Sequence, residues 1–149
     1  MKVVKGDRLV ELPDDVQASV LMGVLLRQVS SAVARADLEG LRPSHFRLLA
    51  HAAAPGIRIT ELAELLGMTK QACGQFVTQL ASSGHVVVEV PADDRRARIV
   101  QRTAQGSAAL MQFAGLMTAL EGGWAERVGA QRYGVFLAVL RDLTVAPDP

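Results

Sequence analysis

Five polar or small residues recur on one side of a predicted helix that follows Gly67. Side chains of these lengths suit hydrogen bonds to base edges or to phosphate oxygens of DNA. A glycine among them costs about 1 kcal/mol of helix propensity relative to alanine, which makes sense if another surface must come close. The alternative is an amphipathic helix whose polar side faces solvent. The five residues are Lys70, Gln71, Gly74, Gln75 and Thr78.

The preceding helix is joined to this one by the short turn Gly67-Met68-Thr69. Ala63 is small enough to let two helices cross closely, and Gly67 can take the positive φ of a tight interhelical turn. Thr69 is the predicted N-cap of the second helix. Opposite the polar side lies an apolar stripe that we expect to be buried, formed by Cys73, Phe76, Val77 and Leu80. The spacing predicts a helix-turn-helix, which favours DNA binding for the polar side.

A cluster of arginines follows in the loop between two predicted strands, HVVVEV and RIVQR. A hairpin wing beside a recognition helix can reach the minor groove, where narrow A·T-rich stretches attract arginine. The alternative for so short a charge run is a solvated loop. Asp94 would be repelled by phosphate, so we expect it to pair with an arginine and fix the loop. The arginines are Arg95, Arg96 and Arg98.

Hydrophobic periodicity and capping residues place these motifs within a mainly helical chain. Asp14 or Asp15 is expected to cap the first helix, Thr60 the helix before the turn, and Gly122-Gly123 to kink or end the penultimate helix. The predicted elements are a helix over 14–37, a helix from Pro43 or Ser44 to before Pro55, a short strand over 57–59, helices over 60–66 and 70–83, strands over 85–90 and 98–102, a helix from Thr103, and a helix over 130–143.

Composition excludes several classes of protein. The chain has 149 residues, a formal net charge of +1, 50% hydrophobic residues and one cysteine. These values indicate one globular domain over residues 1–149 without a disulfide framework. The N-terminus lacks the apolar core of a signal peptide, and the apolar stretch 20–26 is far shorter than the about 20 residues of a membrane span. We expect a soluble, cytoplasmic protein that does not bind a membrane.

The segment TELAELLGMTKQACGQFVTQLASSGHVVVEV, followed by DDRRARIV, Thr103 and Gly106, resembles the MarR-type winged helix-turn-helix transcriptional regulators. The resemblance implies a mainly α (α+β) fold, with residues 41–103 as the DNA-binding lobe and residues 14–38 and 104–145 as dimerisation helices. It also implies a homodimer that binds double-stranded DNA, usually as a repressor, and that small ligands or oxidants often release. No cofactor is implied.

The family's wing motif Asp-x-Arg falls on Asp94 and Arg96, and the start of its recognition helix falls on Thr69, Lys70 and Gln71. Arg96 is thereby the implied minor-groove residue. Two departures stand out. Pro91-Ala92 replaces the usual Asp-Pro at the start of the wing loop, and Arg102 replaces the usual apolar residue before Thr103. Arg102 is expected either to contact phosphate or to be an exposed strand residue.

Four other functions compete with DNA binding. Cys73 could sense oxidants, but its place in the apolar stripe favours a buried, inert thiol. His45, His51 and His85 lack metal-ligand spacing, so we expect surface or capping roles for them and no metal. No catalytic motif is present, and we expect no enzyme activity. A winged helix that docks a protein instead of DNA remains an alternative, and the residues of an effector site stay unknown.

Overall fold

A computed structural model describes residues 2–5, 8–11, 13 and 15–145, with residues 2–5 and 8–11 described by their backbone. In chain order its elements are β1 (Lys2–Lys5), β2 (Arg8–Glu11), α1 (Ala18–Ala36), α2 (Pro43–His51), β3 (Ile57–Arg58), α3 (Ile59–Leu65), α4 (Lys70–Ser82), β4 (Val86–Glu89), β5 (Ile99–Arg102), α5 (Ala104–Val128) and α6 (Ala130–Thr144). The predicted mainly α fold with a winged helix-turn-helix is confirmed.

The wing belongs to an antiparallel sheet of order β3-β5-β4. Val88 of β4 pairs with Val100 of β5, and Arg58 of β3 pairs with Ile99 of β5. The outer strand β4 exposes several valines to solvent. A second, antiparallel hairpin joins β1 to β2 with Val3 opposite Val10. This hairpin is not among the predicted elements, since four-residue strands carry too little periodicity to stand out.

The core lies where α2, α3 and α4 meet. Its largest fully buried side chains include Phe46, Leu48, Leu62 and Leu80. Phe46 of α2 stacks on Phe113 of α5 with ring centroids 4.2 Å apart, so the first half of α5 is packed onto the winged lobe. Aromatic stacking at this separation adds to the free energy of burial. The helix-turn-helix is therefore held on a rigid base.

Two predicted helix starts are wrong. Helix α1 begins at Ala18 after an extended Gln17 that makes no capping side-chain bond, so Asp15 does not cap it; Asp14 lies outside the described residues. Helix α3 begins at Ile59, because the backbone N–H of Ile59 still donates to the carbonyl of Arg98 at 3.0 Å. The sheet thus leads directly into the helix, and Thr60 lies in its first turn.

The predicted helix end at Gly122-Gly123 is also wrong. Helix α5 continues through both glycines to Val128 and ends at Gly129, whose φ is 89°. Each glycine costs about 1 kcal/mol of helix propensity, but Trp124 just beyond them is anchored to α1. Its indole Nε1 donates to Gln28 Oε1 at 2.9 Å. Tertiary packing between α1 and α5 therefore outweighs local propensity.

Candidate nucleic-acid interface

The turn between α3 and α4 has the geometry that its residue types predict. Ala63 is buried at the helix crossing, and its carbonyl accepts from the N–H of Met68 at 3.0 Å. Gly67 has a φ of 63°, a conformation in which any other residue type would be strained. Thr69 caps α4, its Oγ1 accepting from the N–H of Ala72 at 3.2 Å. The first turn of α4 is thereby fixed relative to α3.

Helix α4 buries its apolar stripe and leaves its polar side open. Cys73, Val77 and Leu80 are buried and Phe76 is half-buried. The exposed residues of the opposite side are Lys70, Gln71, Gln75 and Thr78. The hydroxyl of Thr78 donates to the carbonyl of Gly74 at 2.9 Å, which leaves its oxygen free to accept. These side chains are thus available to a large ligand.

Gly74 lies half-buried on this side of α4, among the polar residues. A methyl group added there would meet no atom within 4 Å. Packing inside this chain therefore does not require a glycine, although glycine weakens the helix by about 1 kcal/mol relative to alanine. An alanine would therefore fit at this position without a clash inside the chain.

The wing is held by one carboxylate. Asp94 Oδ1 accepts from the backbone N–H groups of Arg96 at 3.1 Å and Ala97 at 3.3 Å. Asp94 Oδ2 accepts from the guanidinium of Arg58 at 2.9 Å. The bond from Arg58, reinforced by the N–H of Arg96, lowers the pKa of Asp94 below its ordinary value. The expected pairing of Asp94 with an arginine is confirmed, and its partner comes from β3 and not from the wing itself.

The three wing arginines differ in what their side chains do. Arg95 and Arg96 are exposed. The guanidinium of Arg98 donates to the carbonyls of Arg95 and Ala97, both at 2.9 Å. Arg98, which is also exposed, therefore supports the loop backbone, and Arg95 and Arg96 are the freer cations.

Helix α4 and the wing border one shallow groove of about 170 Å³. Lys70 lines the groove on the side of α4, Arg96 and Arg98 line it on the side of the wing, and Arg58 of β3 completes it. Asp94 also lines it, paired with Arg58. Four cations against one carboxylate make the groove electropositive, although the chain carries a formal net charge of only +1. Such local fields attract polyanions.

Both expected roles of Arg102 are wrong. Its side chain turns inward, donating from Nε to the hydroxyl of Ser107 at 3.1 Å and from the guanidinium to the carbonyl of Leu49 at 2.7 Å. Leu49 lies in the last turn of α2, where carbonyls lack intrahelical partners and the helix dipole favours a cation. Arg102 therefore joins β5 to α2 and α5.

Cys73 is fully buried, and burial raises the pKa of its thiol. A neutral, inaccessible thiol reacts slowly with oxidants, so the core interpretation of Cys73 is confirmed. The surface role expected of the histidines is wrong for His45 and His85, which are both buried. The alternative capping role is confirmed for His45, which accepts from the backbone N–H of the N-cap residue Arg42. Within residues 15–145, no three His, Cys, Asp or Glu side chains cluster as a metal site would require. No helix in the described part of the chain is long and apolar enough to cross a membrane.

Comparison with known proteins agrees with this geometry. Residues 39–97 match the family model of the MarR family. The chain superposes on a crystal structure of MarR with a TM-score of 0.79, at 20% identity, over 90% of this chain and 92% of that one. The predicted MarR-type resemblance is confirmed. No curated protein sequence matches the chain.

Two further structures are similar to this chain. One is the transcriptional repressor CouR bound to a 23-mer DNA duplex, with a TM-score of 0.73 and 25% identity over 91% of this chain and all of that one. The other is CouR from Rhodococcus jostii RHA1 bound to p-coumaroyl-CoA, with a TM-score of 0.66 and 21% identity over 88% and 91% of the two chains.

One residue of the groove, Arg58, is not among the predicted site residues. Its type and its place in a predicted short strand gave no reason to connect it with the wing. The signal was present in the register, because an antiparallel β3–β5 pair places Arg58 opposite Ile99, beside the loop. The non-local pairing that reveals this neighbour cannot be read from hydrophobic periodicity.

Proposed function

We propose that this MarR-type protein is a sequence-specific regulator of transcription, most simply a repressor, that binds double-stranded DNA as a homodimer. One observation carries the proposal. Lys70, at the start of the exposed polar side of α4, borders the same electropositive groove as Arg96 and Arg98 of the wing. A convex helix flanked by a cationic hairpin matches the alternation of major groove, phosphate backbone and minor groove along a duplex.

In this proposal, some residues of α4 bind the phosphate backbone and position the helix, and others recognise the bases. Lys70 and the N–H groups at the start of α4, capped by Thr69, hold phosphate, helped by the helix dipole. Gln71, Gln75 and Thr78 face base edges in the major groove, where a bidentate glutamine–adenine pair contributes about 1–3 kcal/mol of discrimination. Gly74 lets the DNA approach the helix backbone. These assignments are supported by the exposure of the side chains and by their shared direction on α4.

The wing reaches the neighbouring minor groove. Arg95 and Arg96 enter it or contact its phosphates, while Asp94 and Arg98 hold the loop that presents them. A narrow minor groove concentrates negative potential and attracts arginine without reading a unique sequence. The wing therefore contributes more to affinity than to sequence discrimination.

The homodimer is supported by apolar side chains that the described residues leave uncovered. Helices α1 and α6 expose large aliphatic residues along their lengths: Val20, Met22, Leu26, Val135, Val139 and Leu143. Exposed large apolar side chains that lie along one helix often mark an interaction site. A twofold axis through residues 14–38 and 104–145 would place two recognition helices in successive major grooves about 34 Å apart, which requires a pseudo-palindromic operator.

The decisive experiment is the salt dependence of DNA binding by Arg96→Ala. Duplexes selected by the protein from a random pool serve as probes. Each lost phosphate contact reduces the slope of log K against log salt by about 0.9, so a homodimer without both Arg96 side chains should lose nearly 2. The change should be similar for all duplexes. Arg132→Ala, which removes an exposed arginine of α6, is the matched control and should leave the slope unchanged.

A second candidate function is a winged helix that binds an acidic protein and no DNA, favoured by the small net charge. Random duplex at low salt separates the two functions, since any DNA-binding domain with this groove should bind it with strong salt dependence. Absence of such binding would contradict the regulator proposal. An unchanged slope for Arg96→Ala would remove only the wing from the mechanism.

A small-molecule effector is the last part of the proposal. A cavity of about 380 Å³ lies between the end of α1 and the start of α2, lined chiefly by apolar side chains with Arg42 and Asp37 at its rim. CouR, of similar fold, binds p-coumaroyl-CoA. Aromatic carboxylates and their coenzyme A thioesters are therefore the first compounds to assay for release of DNA. Ala34→Phe, which would fill the cavity, is the control variant and should abolish any response.

A further inference from the structure

A buried histidine bridges α2 to the recognition helix α4. His45 is 7% exposed. Its Nδ1 accepts from the backbone N–H of Arg42 at 3.0 Å, and its Nε2 lies 3.1 Å from Gln79 Oε1. Because Nδ1 is an acceptor, the proton of the neutral ring is on Nε2, which donates to Gln79. The ring edge also packs against Phe76 of α4, 5.2 Å between centroids.

A second buried histidine lies at the end of the same helix. His85 Nδ1 is 2.8 Å from the hydroxyl of Ser83, the C-cap residue of α4. Its Nε2 lies 3.2 Å from Glu39 Oε2, but the two atoms are not aligned for a hydrogen bond. Glu39 Oε2 accepts instead from Gln105 Nε2 of α5 at 2.9 Å. The contact of His85 with Glu39 is therefore weaker than the hydrogen bond of His45 with Gln79.

Both histidines also reach one loop, residues 37–42. His45 accepts from the N–H of Arg42, the N-cap residue of α2, and His85 lies beside Glu39. The loop departs from ordinary backbone geometry, with positive φ at Asp37, Glu39 and Gly40. It also supplies most of one wall of the cavity between α1 and α2. The loop thus touches the cavity on one side and the recognition helix on the other. A movement of this loop therefore alters contacts on both sides.

We propose that His45 is a positioning residue that couples the orientation of the recognition helix to the conformation of the 37–42 loop. The inference rests on the proposed function, because it assigns a regulatory role to a contact of the DNA-binding helix. A ring held at both nitrogens has one orientation. A displacement of about 0.5 Å between loop and helix takes the 3.1 Å bond to Gln79 beyond hydrogen-bonding distance. The bridge therefore responds to small movements of the loop.

The bridge itself is tested without DNA, by amide hydrogen exchange of the free protein. Gln79→Met removes the acceptor at an exposed position and keeps the size of the side chain. Amides of residues 77–84 and 38–42 should then exchange severalfold faster, while the remainder of the protein is unchanged. Ser82→Ala removes an exposed hydrogen bond of the same helical turn and should leave both segments as they are. Unchanged exchange in Gln79→Met would overturn the proposal.

A double-mutant cycle then connects the bridge to DNA. His45→Asn keeps an acceptor for the N–H of Arg42, but its shorter side chain does not reach Gln79. Each of His45→Asn and Gln79→Met should weaken binding to the selected duplex about three- to tenfold, and the double variant should be no weaker than the weaker single variant.

Additive losses, or none, would overturn the coupling role of His45 even though the wild-type protein binds DNA. A wild-type protein that binds no duplex would refute the regulator proposal, while the hydrogen-exchange arm still decides whether the bridge holds the loop to the helix. The two failures are therefore distinct.

Discussion

The carboxylate of Asp94 shows how one residue can oppose and yet support the same function. It lies in an electropositive groove, where a negative charge repels phosphate. It also accepts one hydrogen bond from Arg58 and two from the wing backbone. Its positioning effect and its charge effect therefore have opposite signs on DNA affinity.

These opposite signs make Asp94→Asn informative. If the carboxylate acted only through its charge, its removal would raise the affinity for DNA. We expect a loss of about two- to fivefold, the range of an exposed ion pair, because the loop is released from Arg58. Anisotropy titration with the selected duplex measures it. Asp93→Asn removes the neighbouring exposed acid and should bind slightly more tightly; a similar gain in Asp94→Asn would contradict the positioning role.

His45 makes stability depend on pH in a direction fixed by its environment. Burial is the largest cause that lowers the pKa of His45 below 6.5. As the pH falls, the unfolded chain is therefore protonated before the folded one. The free energy of unfolding decreases as the pH falls below 6.5 toward the folded-state pKa. The hydrogen bond to Gln79 raises this pKa and opposes part of the shift, while charge repulsion from Arg42 and His85 lowers it further.

Urea unfolding of wild type and His45→Asn between pH 7.5 and 5 measures this contribution. The midpoint for the wild type should fall with acid more steeply than that of the variant. Parallel curves would show that His45 titrates alike in the folded and unfolded states. A steeper fall in the variant would reverse the sign of the inferred effect.

At the scale of elements, α4 carries a glycine that the fold does not need. Gly74→Ala should raise the free energy of unfolding by about 1 kcal/mol, since the added methyl group meets no atom within 4 Å. The same methyl group would stand between the helix backbone and DNA, so affinity should fall. Gly115→Ala on α5, also in open space, is the control. It should stabilise the protein similarly and leave binding unchanged; equal affinity in both variants would contradict close approach at Gly74.

The order of the helices and both wing strands could be predicted from the sequence, because periodicity and caps such as Thr69 and Thr103 are local signals. What could not be predicted depends on distant partners. The start of α3 depends on the bond from Ile59 to Arg98. The passage of α5 through Gly122-Gly123 depends on packing against α1. The inward turn of Arg102 depends on an acceptor 53 residues away.

The same division applies to the candidate site. The polar side of α4 follows from helical spacing and is exposed as predicted. The role of Asp94 in holding the wing was predictable from its charge, but its partner Arg58 depends on the register between β3 and β5. The bridge from His45 to Gln79 joins residues 34 positions apart and has no signature in sequence spacing.

For the whole molecule, the exposed aliphatic residues of α1 and α6 are the surface on which the proposed homodimer depends. Leu143 is 76% exposed, and a charge placed there should prevent burial against a second copy. We expect Leu143→Glu to sediment as a monomer at micromolar concentration and to bind the selected duplex at least tenfold more weakly, since two half-sites no longer act together. Leu65→Glu alters an exposed leucine of the winged lobe and should remain dimeric. A monomeric wild type would contradict the dimer.

The free edge of β4 has a consequence for handling the protein. An outer strand offers unpaired N–H and C=O groups to any other extended chain, and β-branched residues favour such pairing. Val87, Val88 and Val90 are exposed there, with Glu89 as the intervening charge. Concentrated solutions of the protein should therefore aggregate through edge-to-edge strand addition. A bound duplex that covers the hairpin should prevent this aggregation.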